Sequence, residues 1–239
     1  LAGCVPSVSP SPSIREPSAQ VAPSPSASSL STAEVEAAIR FRETFGLRSD
    51  EAWIRLVSAD SASKVGLTKY GVNLSPDEVK DLDSRTVAIE AIKTQVVNYG
   101  LAHPHDWAGA YVDQGRGGVL VAQFSDNVEV HRQALMSGVG PRAKFEVISA
   151  AYSLEYLQSQ VARIRGTDEW FTSIPAYLES YGVDVAANRL LIRISSVEPA
   201  AQDLIERHFG WSGLTRVESD GTGAQLLPFG TVRVEARDS

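Results

Sequence analysis

The same order of segments occurs twice in this 239-residue chain, and this recurrence limits the possible folds more than any other feature. Each copy has a helix-forming stretch, two β-branched runs joined by a turn, a second helix-forming stretch and a final strand. We predict a duplicated helix, hairpin, helix, strand unit, the alternative being that common motifs recur by chance. Corresponding residues lie 71 positions apart: Val112 and Val183, Asp113 and Asp184, Val119 and Leu190, Val121 and Ile192.

A helix that buries one face against a hairpin produces two layers, so the duplication predicts an α+β protein. We expect two adjacent subdomains, each with helices packed on a small antiparallel sheet, at residues 33–150 and 151–239. Capping-box spacing predicts where helices begin. The pairs are Ser31 with Glu34, Ser75 with Glu78, and Asp126 with Glu129.

The N-terminal residues LAGC resemble the lipobox of bacterial lipoproteins, in which the cysteine sulfur carries a diacylglycerol. Cys4 is the only cysteine, so it has no disulfide partner within the chain. Residues 5–32 consist mainly of Ser, Pro and Ala, and they cannot bury enough apolar surface to offset their ordering entropy. We expect residues 1–4 to carry the lipid on Cys4 and residues 5–32 to be a disordered linker. The folded part is then anchored to the membrane lipid outside the cytoplasm.

The charge and hydropathy of the chain argue against two classes of function. The formal net charge is −7, and no basic stripe with interleaved aromatic residues occurs, which argues against nucleic-acid binding. No apolar run approaches the roughly 20 residues that a membrane-spanning helix requires.

Five segments, in order, resemble the pro-region found ahead of secreted bacterial serine proteases similar to α-lytic protease. They are FRETFGL, YGVNLSPDEVKDLD, WAGAYVDQGRGGVLVAQFSD, YSLEYLQSQVARI and YGVDVAANRLLIRI, and the likeness covers about residues 34–210. The resemblance implies a non-catalytic fold that assists the folding of a protease and inhibits it. No GDSGG segment and no histidine in an AAHC-like context occur in the sequence. We therefore expect a standalone pro-region-like domain that acts on any such protease in trans.

Residues suited to catalysis or metal binding are few. The only cysteine is expected to be acylated, and no serine lies in a GxSxG turn. His103, His105 and Asp106 form the densest set of potential ligands for zinc or copper. The favoured interpretation is a polar loop, because no second His or Cys cluster completes a metal site. His131 and His208 are expected at helix rims.

The turns of the two hairpins offer weaker candidates. The glycines at 115–118 join two strands, whereas a phosphate-binding loop leads from a strand into a helix. Asp113 and Asp184 hold equivalent positions, and we expect each to bind backbone amides of its own turn instead of forming an acid/base pair.

Aromatic residues and the C-terminal segment are the candidate binding features. The aromatic residues form either a patch for a peptide or glycan or parts of the cores. They are Trp107, Trp170, Phe171, Tyr177 and Trp211. Residues 231–235, which include Val232 and Val234, alternate as a short strand that either closes the second sheet or leaves an edge for a partner strand.

These features predict a non-enzymatic, membrane-anchored, extracytoplasmic protein with no cofactor and no metal. By resemblance, the partner is a secreted serine protease or another envelope protein. Two alternatives stay open: an accessory lipoprotein that binds a small molecule, glycan or cell-wall polymer, and a metal-dependent enzyme built on His103, His105 and Asp106.

Overall fold

The computed structural model describes residues 30–140, 144–174, 178–195 and 201–219. Its helices and its two three-stranded sheets confirm the predicted α+β fold with two adjacent helix-plus-sheet subdomains.

Short helices precede the first sheet. They are α1 (Thr32–Thr44), α2 (Glu51–Ala59), a 3-10 turn (Ser61–Ser63) and α3 (Lys64–Tyr70). The predicted capping box of Ser31 and Glu34 opens α1, and both of its hydrogen bonds are present. The helix ends just before Gly46, whose φ of +63° favours glycine.

The first repeat extends from α4 to β3. Its elements are α4 (Pro76–Leu101), β1 (Trp107–Asp113), β2 (Val119–Phe124), α5 (Val128–Val139) and β3 (Phe145–Ser149). β1 is antiparallel to β2, and β2 is parallel to β3. The sheet is therefore mixed and not wholly antiparallel as expected, because α5 carries the chain back to the start of the sheet between β2 and β3.

The second repeat extends from α6 to β6 and has the same strand order and directions. Its elements are α6 (Leu154–Ile164), α7 (Asp168–Ser173), β4 (Leu178–Asp184), β5 (Arg189–Ile194), α8 (Ala201–Phe209) and β6 (Thr215–Ser219). A register irregularity lies near the start of both β1 and β4, between Trp107 and Gly109 and between Leu178 and Ser180. The two units thus share strand directions and this local irregularity.

The predicted equivalences are wrong by one residue in the second strand of each hairpin. Val112 pairs with Leu120, and Val183 pairs with Leu190, so Leu120 and not Val119 corresponds to Leu190. The turn of the second hairpin is one residue shorter than that of the first. After the turn, the spacing between equivalent residues of the two repeats is therefore one residue smaller. For the same reason the counterpart of Ile192 is Ala122 and not Val121.

The predicted capping box at Asp126 is also wrong. α5 begins after Asn127, which has φ +50° and makes no side-chain capping bond. The Asp126 carboxylate instead accepts the N–H of Asn127 at 2.7 Å. By contrast, Ser75 with Glu78 caps α4 as predicted, and the Ser153 side chain accepts from the N–H of Tyr156 at the start of α6.

Each repeat has its own apolar core between its sheet and its helices. The first contains Ile92, Val96, Trp107, Leu120, Ala122, Phe124, Leu135 and Val147. The second contains Leu157, Ile164, Phe171, Leu190, Ile192, Ile194, Ala201, Ile205, Phe209, Trp211 and Leu214. We call the face of each sheet that carries these residues its inner face and the opposite face its outer face.

Candidate functional site

The HPHD segment lies between α4 and β1, and its three candidate ligands have different partners. His103 Nδ1 lies 2.8 Å from the Tyr99 carbonyl oxygen, and His105 Nδ1 lies 2.9 Å from the Glu155 carboxylate. Asp106 Oδ2 lies 3.0 Å from a histidine of α5, as described below. Among the described residues, no group of three or more His, Cys, Asp or Glu side chains is arranged to hold a metal. The structure does not bring the HPHD side chains together as one ligand set.

Asp106, His131 and Tyr99 instead form a hydrogen-bonded series. His131 Nε2 lies 3.0 Å from Asp106 Oδ2, and its Nδ1 lies 2.9 Å from the Tyr99 hydroxyl. The Asn127 amide donates to the same Asp106 oxygen at 3.0 Å. The His131 ring is 3% exposed and stacks on Phe124 with centroids 4.0 Å apart, so it is not at a helix rim as expected.

This arrangement has the order of a nucleophile, a base and an orienting carboxylate. Burial raises the pKa of Tyr99, so its hydroxyl stays protonated. Hydrogen bonds from Asn127 and then from His131 lower the pKa of Asp106, so its carboxylate stays charged. The series therefore joins α4, α5 and the segment before β1 as a structural network.

This hydrogen-bonded network could not be predicted from the sequence, because its members are far apart in the chain. Tyr99 and His131 are 32 residues apart, and Asp106 and His131 are 25 apart. The only available signal was the placement of His131 on the helix that follows the hairpin. His208, by contrast, is exposed on α8 as expected, and its ring stacks on Trp170 at 3.8 Å.

The two aspartates at equivalent positions serve their own turns, as predicted. Asp113 Oδ1 accepts from the N–H of Arg116 at 3.1 Å, and Asp184 Oδ1 accepts from the N–H of Ala187 at 3.0 Å. The Arg116 guanidinium also donates to Asp113 at 2.7 Å and is the main reason why the pKa of Asp113 is lowered.

The tryptophans of the predicted binding patch lie mainly in the cores. Trp107 and Trp211 are only 4% and 2% exposed, and the Trp211 indole donates to Gln160 at 3.0 Å. Trp170 is half-buried beside the second core. Of the three tryptophans named for the binding patch, only Trp170 is therefore partly exposed. Tyr177, Val232 and Val234 lie outside the described residues.

The turn of the second hairpin covers the outer face of the first sheet. There Val121 is fully buried, and Gln123 donates to the Ala186 carbonyl at 3.5 Å. A Cβ at Gly109 would lie 2.6 Å from Val185 Cγ1, so only glycine admits this close contact. The two subdomains are thus in direct contact at this turn.

One side chain of the same turn fixes its position. The Asn188 amide group accepts from the N–H of Tyr152 and donates to the carbonyl of Tyr152, both at 2.8 Å. Asn188 is almost fully buried, and its φ is +51°. This residue therefore joins the second hairpin to the segment that opens α6.

The outer face of the second sheet carries charged side chains where the first sheet has a covering turn. Arg216 lies 2.9 Å from Glu218 and 3.8 Å from Asp184, and Arg193 lies 3.4 Å from Glu218. A Cβ at Gly182 would meet no atom of the described residues within 4 Å. This face is therefore accessible at the centre of β4.

The edge strand β4 is also accessible. Three successive residues, Glu179, Ser180 and Tyr181, are exposed, although α6 packs against the inner face of the strand. We call Gly182, Arg193, Arg216 and Glu218 together with the β4 edge the open surface of the second sheet.

Two shallow depressions lie on the surface of the described part of the chain. One, of about 330 Å³, is lined by Asp203, Glu206, Arg207, Gly210 and Ser212. The other, of about 560 Å³, follows residues 76–88 of α4. No aromatic residue of the described segments lines either depression. The helices of the described segments include none that is long and apolar enough to cross a bilayer.

Neither known protein families nor curated proteins gave a match to this chain. The likeness to protease pro-regions therefore stays a prediction from the sequence.

Proposed function

We propose that this protein is a non-catalytic interaction domain, held outside the cytoplasmic membrane by acylation of Cys4, that binds another protein through the open surface of its second sheet. The supporting observation is the difference between two equivalent sheets. The turn of the second hairpin contacts Gln123 and Gly109 of the first sheet, whereas on the second sheet Arg216 is 56% exposed and no described atom lies within 4 Å of a Cβ at Gly182.

The β4 edge suits a partner that adds a strand. An edge strand presents unpaired N–H and C=O groups, and main-chain hydrogen bonds to an added strand provide affinity. Tyr181 is 37% exposed beside this edge and offers a partly apolar contact. On the outer face next to the edge, no atom of the described segments lies within 4 Å of a Cβ at Gly182.

The partner class follows from the resemblance alone. A secreted serine protease is the proposed partner, and the domain would assist its folding or inhibit it in trans. A partner bound in this way meets the domain at the membrane surface, because the lipid on Cys4 keeps the domain there.

Substitution at Gly182 tests the proposal. Gly182→Arg places a long charged side chain on the open surface, where a Cβ meets no described atom within 4 Å, and Gly182→Ala is the matched control. The two variants and the unmodified chain are used to capture envelope proteins and to inhibit any serine protease captured. We expect capture and inhibition by the unmodified chain and Gly182→Ala and a loss of at least about tenfold in Gly182→Arg. Absence of a protease partner and of inhibition at micromolar domain contradicts the protease form of the proposal.

A further inference from the structure

The strand β6 has a free outer edge among the described residues. The N–H of Leu190 donates to the Leu214 carbonyl at 3.0 Å, and β6 runs parallel to β5. Because backbone groups alternate along a strand, the N–H and C=O of Arg216 and Glu218 also face β5. Those of Thr215, Val217 and Ser219 face away from β5, where another strand can pair with them.

The sequence of β6 is complementary to itself in the antiparallel direction. It reads Thr-Arg-Val-Glu-Ser, with Val217 at the centre. A second copy rotated by a two-fold axis through Val217 brings Arg216 opposite Glu218 twice, and Thr215 opposite Ser219 twice. The outward-facing residues then form the hydrogen-bonded pairs, and the charged residues form the non-hydrogen-bonded pairs, whose side chains approach most closely.

The charges on β5 continue this pattern. Arg193 is the neighbour of Glu218 in the register of the sheet, and their side chains lie 3.4 Å apart. In the paired arrangement, a row across the sheet alternates in sign: Arg193, Glu218, and Arg216 of the second copy. Opposite charges in directly facing positions stabilise a strand pair, and like charges destabilise it.

The equivalent edge of the first sheet is capped. Arg132 of α5 donates to the Val147 carbonyl at 2.9 Å, and this carbonyl faces outward, since Lys144 and Ala150 bond to β2. β3 also lacks self-complementarity, because Glu146 would face Ile148.

The residue that corresponds to Arg132 does not cap β6. Leu135 of α5 and Ile205 of α8 are the equivalent core residues, 70 positions apart, so Gln202 corresponds to Arg132. The Gln202 amide donates to Glu206 at 3.0 Å instead of reaching the strand. The Gln202 side chain therefore does not give β6 the protection that Arg132 gives β3.

We propose that β6 pairs antiparallel with β6 of a second copy of this chain, centred on Val217, and joins the two second sheets into one continuous sheet. This self-association goes beyond the proposed function, because it uses the edge opposite β4 and leaves β4 free. It needs no other protein, so it can fail or succeed independently of partner binding.

Charge reversal tests the pairing in the full chain with Cys4→Ala, which removes the lipid and any intermolecular disulfide. Arg216→Glu and Glu218→Arg each place like charges opposite each other twice. Each should raise the dimer dissociation constant at least about tenfold, since two cross-strand pairs change sign. The double variant restores opposite charges and should restore the dimer. An equimolar mixture of the two single variants should form a mixed dimer.

Sedimentation equilibrium over about 1–300 µM measures these masses, and thermal unfolding checks that each variant is folded. Loss of the dimer in the single variants and recovery in the double variant and in the mixture support the proposal. A chain that is monomeric at every concentration overturns it, including the case in which residues 231–235 occupy the β6 edge. A dimer that is indifferent to both charge reversals also overturns it, because its interface lies elsewhere.

Discussion

At the scale of the residue, Arg42 organises the N-terminal helices. Its side chain is fully buried and donates to the Glu78 carboxylate, to the Arg48 carbonyl at 3.1 Å and to the Asn73 carbonyl at 2.9 Å. The Trp53 indole donates to the same carboxylate at 3.1 Å. One buried ion pair thus holds α1, α2 and the start of α4 together.

The free energy of unfolding at acid pH should depend on the ionisation of Glu78. Burial by itself raises the pKa of Glu78, but hydrogen bonds led by that from Arg42 outweigh it, and the net pKa is lowered. A carboxyl group with a lowered folded-state pKa adds stability above its unfolded value of 4.5, and this stability is lost as the pH falls through the folded value.

Glu78→Gln should therefore destabilise the protein by about 1–3 kcal/mol at neutral pH, and the difference from the unmodified chain should shrink as the pH falls below 4.5. Urea unfolding at several pH values measures this. Glu36→Gln is the control, since Glu36 is exposed and its nearest charged partner, Arg40, is 4.0 Å away. A pH-independent difference would falsify the role given to the Glu78 charge.

Gly109 should be intolerant of any side chain. Its φ is +110°, and a Cβ would lie 2.6 Å from Val185. Gly109→Ala should cost about 2–4 kcal/mol in the free energy of unfolding. Adding Val185→Ala should recover only part of this loss, because the backbone strain stays.

Gly182→Ala is the matched control for Gly109→Ala, because space is open there, and it should change the free energy of unfolding by no more than about 1 kcal/mol. Chemical denaturation measures the free energy of unfolding of four chains: the unmodified protein, Gly109→Ala, Gly109→Ala with Val185→Ala, and Gly182→Ala. Equal tolerance of alanine at both glycines would count against the close contact between the subdomains.

At the scale of the element, the joint between the second hairpin and α6 rests on Asn188. The corresponding residue of the first hairpin is Gly118, with φ +78°, so both turns use a left-handed residue. Only Asn188 also carries an amide group that binds the backbone of Tyr152.

Two substitutions separate these contributions. Asn188→Gly removes the two hydrogen bonds without strain and should cost about 1–3 kcal/mol. Asn188→Ala removes the same bonds and adds strain of about 1 kcal/mol, so it should be the less stable of the two. Thermal unfolding ranks them. An Asn188→Gly chain as stable as the unmodified one would show that the amide bonds contribute little.

Capping side chains made the starts of three helices predictable from the sequence. Ser31, Ser75 and Ser153 all accept hydrogen bonds from backbone N–H groups at the start of their helices. α3 and α7 were not predicted, because they are short and neither has a side-chain cap. The start of α5 was misplaced because a left-handed Asn127, and not a capping box, precedes it.

At the scale of the whole molecule, the sequence predicted the repeated helix-and-sheet unit, but it did not predict that the two units differ in what contacts the outer faces of their sheets. The matching strand patterns indicated two similar sheets. Nothing in the pattern indicated that Val185 and Ala186 of the second turn would cover the first sheet, because a contact between subdomains leaves no periodic signal. The candidate site of this protein is the result of that asymmetry, so it became visible only in the structure.

The proposed lipid attachment at Cys4 should not affect the folding of the domain. Cys4→Ala should move the protein from the detergent-rich phase to the aqueous phase of a detergent partition experiment, because the lipid attachment site is lost. Its circular dichroism spectrum and unfolding temperature should not change. Loss of folding in this variant would show that the cysteine has a structural role.

Site-specific photo-crosslinking in the native envelope can show whether the β4 edge of the second sheet binds a protein. A photoreactive amino acid is placed at Tyr181, on the edge, and at Val87 of α4, which is 72% exposed but lies in the first repeat, as the control. If the β4 edge binds a protein, we expect one discrete protein adduct from position 181, absent at position 87 and lost when Gly182→Arg is added. No adduct at position 181, or the same adducts at both positions, would contradict it.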